Sequence, residues 1–296
     1  MDVEAVLRER WGLVDTVLEP HEGPTAGMDS RTWWVTTDVG PSTRRYVAKW
    51  VADDAVGSLA AGVAAAALAE TSGVATGAPL EMVGGDRVLL VEGGSMVLLH
   101  RVEGEPLDGS GPDDAAVVGA TLARVHAATA GQDLVLGLRW PWVEPDGPHL
   151  ADRPDQADLR AAVVGALAAV EALGPLVTGV AHGDPAPEAF LRCADGSTAL
   201  IDWASALAGP LLYDVVSAVM YLGGLDAAEP LVASYAGAGG AAAPDLPHLA
   251  TMLRFRWAVQ ADYFARRVAT GDVTGTGAAG DEKGLEDARR GLLGGS

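Results

Sequence analysis

The feature that most constrains this chain is a change of hydrophobic period near Gly104. Before it the apolar residues come in short, β-branched stretches; after it they recur at helical spacing. Period two suits a strand and period near 3.6 suits a helix, so the two halves must build different kinds of structure. In the first half, "RTWWVTTDV" and "RRYVAKWV", joined through "GPST", suggest an antiparallel pair. "DDAVGSLAAGVAAAALAETSG" has an acidic start, an Ala-rich body and a Gly stop, which marks a helix of about 18 residues. "RVLLV" and "SMVLLHRV" add two strands, so the predicted order is strand, strand, helix, strand, strand. The second half reads as helices in "AAVVGATLARVHAAT", "ADLRAAVVGALAAVEALG", "YDVVSAVMYL", "EPLVASYA" and "LPHLATMLRFRWAVQADYFARRVA". "LRWPWVEPDGPHLADRPDQ" reads as an irregular loop and "TGDVTGTGAAGDEKG" as a flexible segment. The expected fold class is α+β, with an N-terminal lobe over residues 1–103 and a helical C-terminal lobe over 104–296.

Charge narrows the partners. Against 20 basic residues stand 40 acidic ones, a formal net charge of -20, which repels nucleic-acid phosphates and anionic membranes and favours a cationic small molecule. The longest apolar run, "LAAGVAAAALA", is too short to span a bilayer, the start "MDVEAVLRER" has no signal-like pattern, and Cys193 has no partner for an internal disulfide. A cytoplasmic protein is expected.

The chemistry concentrates in "VAHGDPAPEAFLRCADGSTALIDWASA", residues 180–206, where Asp184 and Asp202 each follow an apolar run. If Asp195-Gly196 makes a two-residue hairpin turn, residue 189 faces residue 202 and both carboxylates share one mouth. Two acids in one place suit a metal ligand beside a general base, whereas either alone reads equally as a turn cap. Lys49 in "YVAKWV" is a lone lysine in an otherwise apolar strand, and such a charge needs a matching one.

The order "VAHGDPAPEAFL", then "ALIDWASALAGPLLYD", resembles the signature of the aminoglycoside phosphotransferase family, a branch of the protein-kinase-like superfamily that includes choline and homoserine kinases. The resemblance implies a two-lobed kinase-like fold and ATP- and magnesium-dependent transfer of the γ-phosphate to a small-molecule hydroxyl, on an aminoglycoside-like compound, an amino alcohol or a sugar. By the same resemblance Asp184 is the catalytic base, Asp202 a metal ligand, Asp214 a structural anchor and Lys49 the phosphate-binding lysine. The backbone of His100, Arg101 and Val102 would meet adenine, and the glycines of "HEGPTAGMDSR" would cover phosphates. His182 and His126 read as structural histidines and Trp203 as a packing residue.

Two family positions are empty. Ala189 stands where the family has a metal-binding Asn, and Ala60 where a Glu pairs with the lysine. Two such losses together remove roughly 5 kcal/mol of transition-state stabilisation unless compensated. Glu188 is either the replacement ligand or a solvated loop residue, and Asp53 or Asp54 is a weaker replacement partner or, in the preferred reading, a favourable charge at a helix N-terminus. Without compensation the chain reads as a pseudokinase that binds nucleotide or a protein partner; a two-aspartate hydrolase leaves Lys49 unexplained. Within the Trp-bearing loop Trp140, Trp142, Glu144, Asp146 and Asp152 suit a cleft for a cation, or a solvated loop, and Asp262 and Tyr263 are further substrate-binding candidates.

Overall fold

A computed structural model describes residues 2–21, 30–39, 42–272 and 277–294. The segment "HEGPTAGMDSR" lies largely outside the described residues, as does the Asp54 side chain. The chain opens with α1 (Val3–Trp11), capped by Asp2 accepting from the Ala5 N–H at 3.1 Å and stopped by Gly12 in the left-handed region. It continues with β1 (Thr16–Pro20), β2 (Ser30–Val39), β3 (Ser42–Ala52), α2 (Val56–Glu70), β4 (Leu89–Val91) and β5 (Gly94–His100). The strands form one antiparallel sheet in the order β1-β2-β3-β5-β4. The expected order holds from β2 onward; α1 and β1 are additions to it.

Alternation along β3 gives this sheet two faces. Tyr46, Ala48, Met96 and Leu98 are buried on the outer face, where Val3, Leu7 and Trp11 of α1 cover them. Lys49 points to the inner face with its cross-strand partner Val97, and there Val51 and Val97 pack on Leu59 and Val63 of α2. Burying a large aliphatic side chain is worth about 1.5–3 kcal/mol, so α1 is what makes an apolar outer face tolerable.

The remaining chain is β6 (Glu105–Pro106), α3 (Pro112–Thr129), β7 (Leu138–Arg139), α4 (Pro148–Ala151), α5 (Ala157–Glu171), β8 (Thr178–Ala181), β9 (Phe190–Arg192), β10 (Thr198–Leu200), β11 (Leu207–Pro210), α6 (Leu212–Tyr221), α7 (Glu229–Gly237), α8 (Leu249–Thr270) and α9 (Gly277–Leu293). Helices surround a core that includes Leu122, Leu159, Phe190, Tyr213 and Phe255. Two small sheets, β10-β9-β6 and β7-β11-β8, carry the segment between α5 and α6.

Two expectations change here. The segment read as flexible is helical from Gly277 onward, and Ala288 and Leu292 of α9 are buried in the main core. The hairpin register is also one residue off. Thr198 pairs with Arg192 and Leu200 with Phe190, so position 189 meets Ile201, whose N–H donates to the Ala189 carbonyl at 2.9 Å. The cause is a three-residue connection. Gly196 donates to the Cys193 carbonyl at 3.0 Å and takes φ 83°, while the Cys193 N–H reaches Ser197 across the loop at 2.9 Å. A turn followed by a left-handed glycine is the geometry of a three-residue hairpin, and Asp195 holds it by accepting from both the N–H and hydroxyl of Ser197.

Candidate active site

The loop between β8 and β9 carries Asp184, and its shape is set by a fully buried carboxylate below it. Asp214, in the first turn of α6, accepts from the backbone N–H of His182 at 2.7 Å and of Gly183 at 2.8 Å. The same carboxylate accepts from His126 Nε2 at 3.1 Å, and Nδ1 of that ring lies 2.8 Å from the Tyr235 hydroxyl. Tyr235 in turn accepts from the Ala242 N–H at 3.0 Å, so its hydroxyl proton goes to Nδ1 and Nε2 carries the hydrogen given to Asp214. Burial pushes the Asp214 carboxyl up, but the hydrogen bonds from His126 and from the Gly183 N–H outweigh it and hold the group below the ordinary carboxylate range. Gly183 completes the loop with φ 88°; a Cβ there would stand 2.0 Å from the Ser205 carbonyl, so the Asp184 loop and the segment after Asp202 touch backbone to side.

His182 ties the two aspartates together. Its Nε2–H donates to the Ile201 carbonyl at 2.9 Å, its Nδ1 accepts from the Asp184 N–H at 3.3 Å, and its ring packs edge-on against Trp203. The Asp184 and Asp202 backbones therefore share one imidazole, and the common mouth exists despite the shifted register. Asp184 itself is half-exposed and its Oδ1 accepts from the Tyr221 hydroxyl at 2.6 Å and from Arg256 Nη2 at 2.8 Å.

Asp202 adopts φ 63°, ψ 65°, a left-handed conformation that side chains other than glycine enter rarely, and its carboxylate is solvent-accessible. Lys49 Nζ reaches it at 3.0 Å from β3. The ammonium holds the Asp202 carboxyl below the usual range. No acidic residue occurs along α2 before Glu70, and Glu70 is engaged with the N–H of Thr76 at 3.0 Å. The matched charge that Lys49 needs thus comes from Asp202, and Asp53 is exposed at the entry to α2 without an ion pair to Lys49. α2 approaches the Trp203 backbone closely enough that a Cβ on Gly62 would lie 2.4 Å from the Trp203 carbonyl.

Lys49, Asp202, Val97, Leu99 and residues of α2 line a cleft of about 50 Å³. At its hinge-side end the His100 N–H is used by Ala78 at 3.0 Å and the Arg101 N–H by Arg45 at 3.2 Å. The Val102 N–H has no hydrogen-bond partner among the described residues. The Arg101 guanidinium stacks over Trp34 at 4.2 Å. Glu188 lies exposed in the 3-10 turn Pro187–Ala189, without a hydrogen bond to Asp202, and no group of three or more potential metal ligands occurs among the described residues.

Of the substrate candidates, Trp142 and Asp262 are engaged within the protein and Glu144 stands at its surface. Trp142 packs edge-on against Tyr213 at 5.1 Å and beside Trp140 at 5.5 Å, inside an aromatic cluster with Phe255. Asp262 is buried on α8 and accepts from His149 Nε2 at 2.8 Å, the Glu144 N–H at 3.3 Å and Arg266 Nη2 at 3.1 Å, so it clips the Trp-bearing loop to that helix and is closed to a ligand. Glu144 is exposed and ion-paired with Arg266 at 3.3 Å. Sequence reasoning missed Arg256 and Tyr221, the two side chains that touch Asp184. A partial signal existed for Tyr221: Tyr213, Ser217 and Tyr221 recur at i, i+4, i+8 along α6.

An antiparallel sheet carrying a cleft-facing lysine, a helix beside it, and a helical lobe presenting two aspartates on adjoining loops define the class of a protein-kinase-like phosphotransferase. The profile of the phosphotransferase enzyme family, APH, matches residues 21–251, and the chain belongs to that family. It is accordingly a small-molecule kinase by class. Among solved structures, an amicoumacin kinase in complex with AMP-PNP, Ca2+ and its substrate superposes with a TM-score of 0.71 at 12% identity, over 99% of this chain and 93% of its own. Choline kinase LicA from Streptococcus pneumoniae gives 0.69 at 14%, over 99% and 98% of the two chains. A microcompartment-associated aminopropanol kinase gives 0.67 at 18%, over 98% and 94%. No curated protein sequence matches this chain significantly.

Proposed function

We propose that this chain transfers the γ-phosphate of ATP to a hydroxyl of a small amine-bearing molecule, with Asp184 as the base. The observation that carries this reading is the His182 bridge, which holds the Asp184 loop against the residue preceding Asp202 while Lys49 reaches the same carboxylate from the sheet. Asp184 would orient the acceptor hydroxyl and take its proton; Lys49 would turn its ammonium to the phosphates; the Val102 N–H would meet adenine at the junction of the 1–103 and 104–296 lobes. The formal net charge of -20, together with neighbours named as choline and aminopropanol kinases, supports a cationic amino alcohol or aminoglycoside-like acceptor.

The donor set fits magnesium brought in on the nucleotide. Such ions take one or two carboxylates and complete their shell with water and phosphate, and Asp202 offers one ionised, accessible carboxylate in a conformation that turns it to the cleft. Glu188 is the second proposed ligand. Bound there, the ion would neutralise charge on the β- and γ-phosphates. The rival reading, a pseudokinase that binds nucleotide without turnover, draws on one specific feature: Ala189 is buried and its only oxygen already accepts from Ile201. Calorimetry with ATP, with and without magnesium, followed by a phosphate-transfer screen over hydroxylated amines separates the two. Transfer to any acceptor supports the enzyme, binding without transfer supports the pseudokinase, and no binding defeats both.

A further inference from the structure

Arg256 is a buried cation behind the candidate base. Its guanidinium lies between the rings of Tyr213, at 5.6 Å, and Tyr221, at 5.9 Å. Nε donates to Ser217 Oγ at 2.9 Å, and Ser217 donates onward to the Tyr213 carbonyl at 2.8 Å. With the Gln260 amide turned so that its oxygen faces the guanidinium, Nη1 and Nη2 donate to it at 2.7 and 2.8 Å. Those partners are neutral. Asp184 is the one carboxylate that Arg256 bonds among the described residues, since the buried Asp214 is committed to His126, His182 and Gly183. A buried guanidinium needs a counter-charge, so the pairing is a strong constraint on where Asp184 can sit.

We propose that Arg256 is a positioning residue for phosphoryl transfer: with Tyr221 it grips Asp184 through Oδ1 and leaves Oδ2 as the oxygen presented to the acceptor hydroxyl. The inference rests on the phosphotransferase reading. Both donors meet the same oxygen, and no described residue bonds Oδ2, so exchanging the two oxygens by rotation would break a hydrogen bond of 2.6 Å and a charged one of 2.8 Å together. In the transfer, the acceptor O–H proton passes to Oδ2, the acceptor oxygen bonds to the γ-phosphorus, and the bond from phosphorus to the β,γ-bridging oxygen breaks with its electrons leaving on ADP. As Oδ2 takes the proton, the Asp184–Arg256 pair changes from neutral to singly positive, the sign that suits the phosphoryl oxygens in front of it. The titratable and charged groups around Asp184 are Arg256 on α8, Tyr213 and Tyr221 on α6 and His182 on its own loop, with Asp202 on the adjoining loop.

The test uses the full chain with magnesium-ATP and 1-amino-2-propanol, choline or hygromycin B as acceptors, and ATP hydrolysis where none is phosphorylated. Arg256→Gln is expected to lower kcat about 100-fold with KM for ATP changed less than about threefold, Arg256→Lys to recover about tenfold of that loss, and Tyr221→Phe to lower kcat about fivefold. Tyr221→Phe removes a single hydroxyl and keeps the experiment readable if Arg256→Gln does not fold. Unchanged kcat in both Tyr221→Phe and Arg256→Gln, with only the melting temperature lowered, would overturn the proposal in favour of a purely structural ion pair. Should the parent transfer phosphate to nothing, water included, the functional reading fails separately. The grip is then read by the carbon NMR chemical shift of the Asp184 carboxyl at neutral pH, assigned by its loss in Asp184→Asn: a resonance that moves in Tyr221→Phe supports the grip, and an unmoved one overturns it.

Discussion

The Asp184 loop and the Lys49–Asp202 corner are neighbours built to different standards. Beneath the first lies a chain of buried bonds running Ala242, Tyr235, His126, Asp214 and then two backbone N–H groups of the loop. The second is a single ion pair of 3.0 Å between a mostly buried lysine and an accessible aspartate. Satisfied buried networks specify one geometry, while an accessible pair is screened and exchangeable. On the proposed function, the half that would take the proton is therefore preformed, and the half that would meet phosphate is left to be completed by what binds there.

The largest effect should come from the preformed half. Asp184→Asn is expected to reduce transfer by about 10³-fold, within the usual range for general-base loss, while ATP affinity stays within about twofold. Steady-state rates beside calorimetric ATP titration check it, and parallel losses of rate and affinity would mean that the two halves are not separable.

Next is the buried carboxylate. Asp214→Ala should cost about 3–5 kcal/mol, because it leaves two backbone donors and His126 without their acceptor in a dry site. Its folded pKa is depressed, so its stabilisation is present above the unfolded carboxyl value of about 3.9 and is lost as pH falls through the lower folded value. The gap in melting temperature between parent and variant should accordingly be wide at neutral pH and close below about pH 4. A gap that stays constant with pH would show that packing, and not the charge, is what Asp214 contributes.

At the thin corner, Lys49→Ala should weaken ATP by about tenfold and adenosine hardly at all, since the ammonium faces phosphate and not base. Calorimetry with both ligands, beside a melt, checks it; equal losses would point to a disturbed sheet.

The same contrast explains what was legible in the sequence. Asp184, Asp202 and Asp214 stand at fixed spacing within continuous segments, and the strands and helices around them announce themselves by period. α1 was passed over in the sequence although Asp2, Glu4 and Gly12 flank its Val3, Leu7 and Trp11, and its task appears only once the sheet is seen to have an apolar outer face. Arg256 was not legible as a site residue, because 72 positions separate it from Asp184 and only the packing of α8 on α6 joins them. The hairpin register hinged on whether the loop after Cys193 holds two residues or three. Asp195-Gly196 fits either, and Ser197 decides by donating to Asp195.

That register bears on the smallest effect. A shift of one residue turns every side chain of a strand to the other face, so position 189 shares a face with Ile201 and not, by alternation, with Asp202. The left-handed φ of 63° at Asp202 breaks that alternation just past the ladder and swings its carboxylate toward Lys49. Ala189 is buried with its carbonyl fixed by Ile201, and Glu188 is free to solvent; on the proposed function an Asn at 189 would add an amide oxygen for the ion that Asp202 would hold. Ala189→Asn should tighten the magnesium dependence of nucleotide affinity by about threefold, and Glu188→Ala should loosen it by about the same factor, as suits one ligand among several waters and phosphate oxygens. A magnesium titration of ATP affinity in the parent, each single variant and the double variant measures both. If Glu188→Ala leaves the curve in place while Ala189→Asn moves it, the ion is held by Asp202 and phosphate alone, and the phosphate half of the site is a one-carboxylate corner. If neither variant moves the curve, the ion does not reach this side of the hairpin, and the pseudokinase reading gains on the enzyme.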